Sequence, residues 1–500
     1  MKRLIKSYLL NTVLCLSWIS ILACSSDKEA TPENPGPIAK TLSANVEKID
    51  FQSTASTSEF IVTANATNWT VAASEASWLT FTPATGVSGR TTITVKASEN
   101  TSSEVRTAVI TISSSEVAAV KVTVSQAANT GGLYPNYNTN PIVADATGMS
   151  STAVQLAAKM KMGWNIGNTL EATGSETAWG NPKVTKALID LVKANGFNAI
   201  RIPCAWNQYA NGTTAKISEV WLDRVKEVVQ YCVDNDMYVI VNIHWDGGWL
   251  EKNVTEAKKV ENNAKQKAFW EQIATHLRGF DEHLLFASAN EPDVKDATEM
   301  AVLKSYHQTF IDAVRSTGGK NAYRNLIVQG PSTDIEKTNQ LMTSLPTDSA
   351  ANRMMAEVHF YPYQFTLMTE DADWGKMFYY WGAGNHSTTD PSHNPTWGEE
   401  ADVDKFFLMM KTQFTDKGIP VILGEFGAIK RNLTGDALTL HLKSRAAFLK
   451  YVVKQSRVNG MVPFYWDAGN LGTNTMSLFD RSTNTIYDLQ ALTALQDGLK

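Results

Sequence analysis

Two periodicities divide this chain. From Leu42 to Gln126 apolar and polar residues alternate in short runs, at Phe60-Ile61-Val62-Thr63-Ala64, Thr92-Ile93-Thr94-Val95, Thr107-Ala108-Val109-Ile110-Thr111-Ile112 and Val120-Lys121-Val122-Thr123-Val124. Successive side chains of a strand point to opposite faces, so alternation predicts strands with one face buried and one wet. Turn residues separate the runs, most clearly from Pro83 to Gly89, and the segment reads as a small antiparallel β-sandwich. From Met162 the period changes. Mostly apolar runs recur at Met162 to Ile166, Phe197 to Ile202, Tyr238 to Ile243, Leu284 to Ala289, Leu326 to Gln329, Met354 to Phe360, Ile419 to Leu423 and Met461 to Trp466. Amphipathic stretches lie between them, among them Val184 to Asn195, Trp221 to Asn235, Gln266 to Arg278, Ala301 to Thr317 and Leu440 to Gln455. Apolar strands buried on both faces, alternating with helices, predict an α/β fold of the (β/α)8 or TIM barrel type. The fifth run is followed by only a short helical stretch.

The first 24 residues stand outside this pattern. Lys2, Arg3 and Lys6 precede a mostly apolar Leu9 to Leu22, and Ala23 leads into Cys24. That is a targeting segment and no part of the fold. It resembles a bacterial lipoprotein signal, although Leu22 is bulkier than usual there, and the resemblance implies that Cys24 becomes the lipidated first residue. An ordinary cleaved secretion signal or an uncleaved anchor is the alternative. Ser25-Ser26-Asp27-Lys28-Glu29 is similar to the export tag of surface lipoproteins in Bacteroidetes, which implies an outer-membrane lipoprotein exposed at the cell surface. Lys28 to Pro37 holds three prolines and a glycine and reads as a linker. Asn129-Thr130-Gly131-Gly132 is a second linker signal. The expected organisation is therefore a leader at 1–24, linker at 25–40, sandwich at 41–128, linker at 129–140 and barrel at 141–500.

With 500 residues, 43% of them hydrophobic, the chain can support one large core and one small one. A net charge of -5 leaves no basic field for nucleic acid. Fourteen Trp and fifteen Tyr supply the flat faces on which sugar rings stack. Of the cysteines, Cys15 and Cys24 fall in the leader; Cys204 and Cys232 lack metal-ligand spacing and are expected to be buried free thiols rather than a disulfide.

The loops after the strands of such a barrel open on one face, so residues at strand ends are the candidates for chemistry. These are Asn165 and Asn168 after the first strand, Arg201 on the second, His244 and Trp245 after the third, Asn290 and Glu291 after the fourth, His359 and Tyr361 after the sixth, Glu425 on the seventh and Trp466 on the eighth. Singly, each has a structural explanation: an arginine paired to a core carboxylate, satisfied core histidines, a tryptophan plug. Jointly they form a site. Two carboxyl groups about 5 to 5.5 Å apart cleave a glycosidic bond with retention, one protonated beside the leaving oxygen and one ionised beneath the anomeric carbon. Arg201 and Tyr361 are expected to favour the ionised form of Glu425.

Arg201, His244, Asn290-Glu291 before Pro292, His359, Tyr361, Gly424-Glu425-Phe426-Gly427 and Trp466 together resemble glycoside hydrolase family 5, over essentially all of the chain from Met160. Gly163-Trp164-Asn165-Ile166-Gly167-Asn168-Thr169-Leu170-Glu171 and Glu176-Thr177-Ala178-Trp179-Gly180-Asn181-Pro182 are similar to its subfamily 4, which contains endo-β-1,4-glucanases and xyloglucanases. The resemblance implies Glu291 as acid/base and Glu425 as nucleophile, with no metal and no cofactor. Asn68-Trp69-Thr70-Val71, Ser77-Trp78-Leu79, the Pro83 to Gly86 turn, Arg106 and Val124-Ser125-Gln126 resemble a BACON domain, an immunoglobulin-like module found beside carbohydrate-active enzymes. Its tryptophans either bind sugar or fill the sandwich core; the flanking alternation favours the core, and so a spacer.

Tyr361 to Trp397 is a long loop rich in aromatic residues, expected to line a polymer cleft in part and to form its own small core in part. Xyloglucan is the leading expected substrate, with mixed-linkage glucan or soluble cellulose beside it and mannan as the runner-up. A surface glycan-binding protein without hydrolysis is the alternative of another class. His386, Asp390 and His393 do not have the spacing of a compact metal site and read as a solvated loop. A monomer, held at the membrane by lipid and acting on polysaccharide, completes the expectation.

Overall fold

The computed structural model describes residues 39–500 apart from residues 52, 54, 75–76, 101, 103 and 129–131, so the leader and Cys24 lie outside the described residues. The chain divides into two compact units, through Thr130 and from Gly131.

The first unit is built of strands β1 (Leu42–Ala44), β2 (Lys48–Phe51), β3 (Ser56–Ala73), β4 (Leu79–Thr82), β5 (Thr85–Ala97), β6 (Arg106–Ser114) and β7 (Val117–Gln126). β3 is long enough to serve several partners: Leu42 to Ala44 pair with its first half, β5 runs beside it from Ser56 to Thr70 with a register shift between Ala64 and Asn68, and β6 pairs with its end. One pairing departs from the antiparallel expectation, because β2 runs parallel to β7. Alternation does what it should: Phe60, Val62, Ile93, Val95, Ile110, Ile112, Val122 and Val124 are buried in one core. Trp69 and Trp78 belong to it. Trp69 lies flat over Gly86, where any Cβ would strike its ring, and donates Nε1–H to the Val87 carbonyl at 3.0 Å. Trp78 is covered by the Arg106 guanidinium, 4.5 Å from its ring centre. Neither offers a free face to a sugar.

The second unit is a closed barrel of eight parallel strands: β8 (Gly163–Ile166), β9 (Ala199–Ile202), β10 (Tyr238–Asn242), β11 (Leu284–Ala287), β12 (Leu326–Gln329), β13 (Met354–Phe360), β14 (Val421–Phe426) and β15 (Met461–Asp467). Around it lie α2 (Lys186–Ala194), α3 (Glu219–Val233), α4 (Glu256–Leu277), α5 (Ala297–Ser316), the short α6 (Ile335–Leu341), one turn α7 (Tyr363–Thr366), α8 (Glu400–Gln413), α9 (Gly435–Val458) and α10 (Leu489–Gly498). α1 (Ala153–Lys159) precedes the first strand and starts with a capping box between Thr152 and Gln155. Cys204 and Cys232 are free and buried, as expected.

Period two inside the strands explains where the site sits. Ala199, Ile240, Leu285, Ile327, Met355, Ile422 and Val462 form one cluster with Ala153, Leu156 and Met160 of the α1 region, which closes the lower end of the barrel. Two residues further along the same strands, on the same face, come Arg201, Asn242, Ala287, Gln329, Glu357, Gly424 and Phe464. The interior therefore passes from an apolar lower layer to a largely polar upper one. β14 runs on to Phe426, so Glu425 lies within the strand. The register to β13 shifts between Val358 and His359, and the register to β15 shifts between Leu423 and Phe426. Irregularities of this kind re-aim a side chain.

Candidate active site

Arg201 is the hub, and it is fully buried. Its Nη1 donates to Glu425 Oε1 at 2.8 Å and to Asn165 Oδ1 at 3.0 Å, its Nη2 to Asn290 Oδ1 at 2.9 Å, and its Nε lies 3.1 Å from Glu357 Oε1. A planar fork with fixed donors suits this task; an ammonium would not hold four partners in one plane. Asn165 also donates to the Gly424 carbonyl at 2.9 Å and is wholly buried, so it supports the site from below.

One carboxyl oxygen each of Glu291 and Glu425 and a ring nitrogen of His359 all lie within 4.8 Å of one another. Glu425 is nearly closed off, while Glu291 keeps 41% of its side chain open to the cleft. His359 sits between carboxylates, Nδ1 at 2.7 Å from Glu291 Oε1 and Nε2 at 3.2 Å from Glu357 Oε1. Burial alone would make it neutral, but Glu425, Glu291 and Glu357 push it up to about 10, so it is an imidazolium at neutral pH. Tyr361 donates its hydroxyl to Glu425 Oε2 at 3.2 Å.

The expected split between the carboxyls is met in contacts and reversed in balance. Arg201 and Tyr361 do reach Glu425, yet burial and the charge of Glu291 outweigh the two cations and raise it above the usual carboxylate range. Burial pushes Glu291 the same way, but the His359 imidazolium against its open side holds it below. The imidazolium therefore stands where the acid proton is needed.

His244 takes the opposite state. Burial, Arg201 and His359 hold it well below the usual histidine range, so it is neutral. Asn242 Nδ2 lies 3.3 Å from its Nδ1, and Asn242 is itself fixed by the Cys204 N–H and the Ala289 carbonyl. Nδ1 is thereby the acceptor and Nε2 the donor. The ring is stacked against Trp466, centroids 5.7 Å apart at 14°. Trp245 is exposed beside it. Asn168 lies a turn away, in a positive-φ conformation with its backbone N–H on Glu171.

Sequence reasoning missed three residues. Glu357 is completely buried, paired with Arg201 and His359 and bonded by Gln329 Nε2 at 2.6 Å. Gly424 leaves room for it, since a Cβ there would come within 2.1 Å of its Oε1. The available signal was its position two residues before His359, on one strand face. Gln329 had the same signal relative to Ile327. Glu251, buried and 3.4 Å from Asn290 Nδ2, had none.

The long loop divides as expected. Phe365, Phe378, Tyr380 and Trp381 are buried, whereas Tyr363, Trp374 and Trp397 are exposed. Arg431 pins the loop through its backbone, donating to the carbonyls of Gln364, Phe365, Met368 and Phe378 at 2.5 to 3.0 Å. His386 pairs with Glu399 and His393 with Asp390, so the two histidines go to separate partners.

A barrel whose strand ends bring two carboxyl groups to this separation belongs among the retaining glycoside hydrolases. Residues 165–472 match the cellulase family, glycosyl hydrolase family 5, and the chain belongs to it. Residues 41–129 match the viral BACON domain family. The chain is 38% identical over 455 residues to the xyloglucan-specific endo-β-1,4-glucanase BoGH5A of Bacteroides ovatus, covering 86% of each. A solved Bacteroides ovatus family 5 xyloglucanase, in complex with a XXXG heptasaccharide, aligns with a TM-score of 0.67 at 34% identity, over 92% of this chain and all of that one. A family 5 xyloglucanase from Paenibacillus pabuli aligns with a TM-score of 0.64 at 35% identity, over 69% of this chain and 100% of its own.

Proposed function

We propose that this protein is a retaining endo-β-1,4-glucanase with xyloglucan as its preferred polymer, Glu425 its nucleophile and Glu291 its acid/base. The observation that carries the mechanism is the placement of both carboxyls and His359 within 4.8 Å, short of the ~6.5–9.5 Å spacing that seats an attacking water across the sugar, which suits direct attack by a carboxylate. In the first step a Glu425 oxygen bonds to the anomeric carbon as the glycosidic C–O bond breaks, and Glu291 gives its proton to the leaving oxygen. In the second, water attacks the same carbon while Glu291 takes its proton, and the bond to Glu425 breaks. The short His359–Glu291 contact supports a local proton source: passing the proton from Nδ1 to Oε1 leaves a neutral imidazole and a neutral acid. Asn290 is suited to the hydroxyl beside the reacting carbon, Trp466 and neutral His244 to the floor and flank of that sugar. Trp245 and the exposed loop tryptophans suit neighbouring units, which favours internal cutting.

The preference for xyloglucan is supported by the Bacteroides ovatus relative, similar over both domains. Lipidation of Cys24 and display on the outer membrane complete the proposal, supported by the leader and linker sequence, with a monomer as the default for a tethered polysaccharidase; radiolabelled palmitate incorporation lost in Cys24→Ala tests the anchor. The function is tested by new reducing ends from xyloglucan, glucomannan, barley glucan and mannan, with the first product's anomer read by NMR. Xyloglucan should be cut fastest and yield the β-anomer. Glu425→Ala should lower hydrolysis about 10⁴-fold or more, and Glu291→Gln should abolish polymer cleavage. Full hydrolysis in both variants would overturn the roles.

A further inference from the structure

Glu251 lies beyond Trp245 and Trp249 in the loop after β10, and the reaction above does not use it. It is 5% exposed. Its carboxylate takes a long hydrogen bond, 3.4 Å, from Asn290 Nδ2 and another from the Glu291 backbone N–H, and its own carbonyl takes the Asp293 N–H at 2.8 Å. These contacts tie the loop to the segment that carries the acid. Asn290 is held at both ends, Oδ1 by Arg201 at 2.9 Å and Nδ2 by Glu251, which fixes the orientation of the amide and leaves the second Nδ2 hydrogen for a ligand.

We propose that Glu251 is a positioning residue of this site: it holds the Asn290 amide with one N–H turned to the sugar and ties the loop after β10 to the segment that carries Glu291. The proposal rests on the reading of Glu291 as the acid. The charges facing Glu291 are His359, Arg201 and Lys252 on the positive side and Glu425 and Glu251 on the negative. Burial and the charge of Glu291 push the Glu251 carboxyl up to about 7, against Lys252. Of the two carboxyls it is therefore Glu251 that holds a proton more readily, while His359 keeps Glu291 below the usual range.

The test compares Glu251→Gln, Glu251→Ala and Glu291→Gln in the full chain on xyloglucan and on an aryl β-glycoside whose nitrophenolate leaves without a proton. Glu251→Gln keeps an acceptor for Asn290, so kcat should stay within about twofold of the wild-type value on both substrates. Glu251→Ala frees Asn290, and kcat should fall by a factor of about 10 on both substrates with little change in KM. Glu251 falls from this role if Glu251→Ala keeps the wild-type kcat, if Glu251→Gln loses as much as Glu251→Ala, or if activity drops only in step with lost folded protein, read by thermal unfolding. Full xyloglucan activity in Glu291→Gln would remove the acid assignment itself and the role of Glu251 with it.

Discussion

The lower and upper layers of the barrel interior come from the same strands, two residues apart, and obey opposite rules. Ile240, Ile327, Met355 and Ile422 fill the lower layer with apolar side chains over the α1 plug. Arg201, Gln329 and Glu357 occupy the next positions and are just as buried. The first arrangement stabilises the fold through area removed from water. The second takes charges out of water and recovers the cost only through mutual pairing, a poor route to stability but a good one to a preorganised field. Each strand thus carries its own foundation and its own working end.

The largest effect should come from breaking the upper layer. Arg201→Ala leaves Glu357 and Glu425 buried without their common cation, and the cost expected for such a broken pair is about 3–5 kcal/mol, with hydrolysis lost as well. Denaturant unfolding and a reducing-end assay measure the two losses. In the lower layer Met355→Ala should cost about 2–5 kcal/mol while kcat and KM per folded molecule stay as they are. If Met355→Ala changed catalysis as deeply as stability, the layers would be one unit and the contrast would fail.

The contrast also fixes a pH dependence. His359 has its folded pKa raised from 6.5 to about 10 by the surrounding carboxylates. Its contribution to stability is therefore complete below about 6.5 and is lost as pH rises towards 10. Glu171, Asp246 and Glu251 are pushed by burial up to about 7, so the folded state holds their protons more tightly and stability falls from their ordinary range, about pH 4, up to 7. Both trends have the same sign in successive windows. In His359→Asn the upper decline should flatten and the lower one persist, which melting temperatures from pH 5 to 10 would reveal; an unchanged slope above pH 7 would mean that the histidine is not an imidazolium in the folded protein.

What the sequence reveals follows the same division. Glu291, Glu425, Arg201 and His359 are legible because they break apolar runs at or beside strand ends, and an ionisable group there needs a reason. Glu357 breaks such a run too, but in its middle, where it reads as an interruption; only the closed barrel brings it against Arg201. The shift at Gly424 and Glu425 is invisible, since an irregular register depends on the partner strand. Alternation in Lys48 to Phe51 shows which residues share a face and not which way the partner runs, so its parallel pairing with β7 appears only in three dimensions. The long loop is legible in composition, but Arg431, which holds it through four backbone carbonyls, leaves no mark on the loop's own sequence.

The smallest effect separates tryptophans that look alike in the sequence. Trp397 is 37% exposed and Trp381 is 1% exposed, though both belong to the loop pinned by Arg431. Trp381 donates Nε1–H to the Gly398 carbonyl at 2.7 Å and packs against Phe448 and Tyr451, so it is part of the loop's own core. Trp381→Ala should therefore act on stability, as other buried Trp→Ala changes do. Trp397 has a face left for substrate, and losing one exposed stacking surface is expected to cost about 1 kcal/mol of binding, a several-fold rise in KM with kcat and melting temperature nearly unchanged. A rise confined to long xyloglucan chains and absent with short oligosaccharides would place Trp397 away from the cleavage point. Equal KM on all substrates would make Trp397 a surface residue and reduce the aromatic cleft to the face that Trp245 and Trp466 provide.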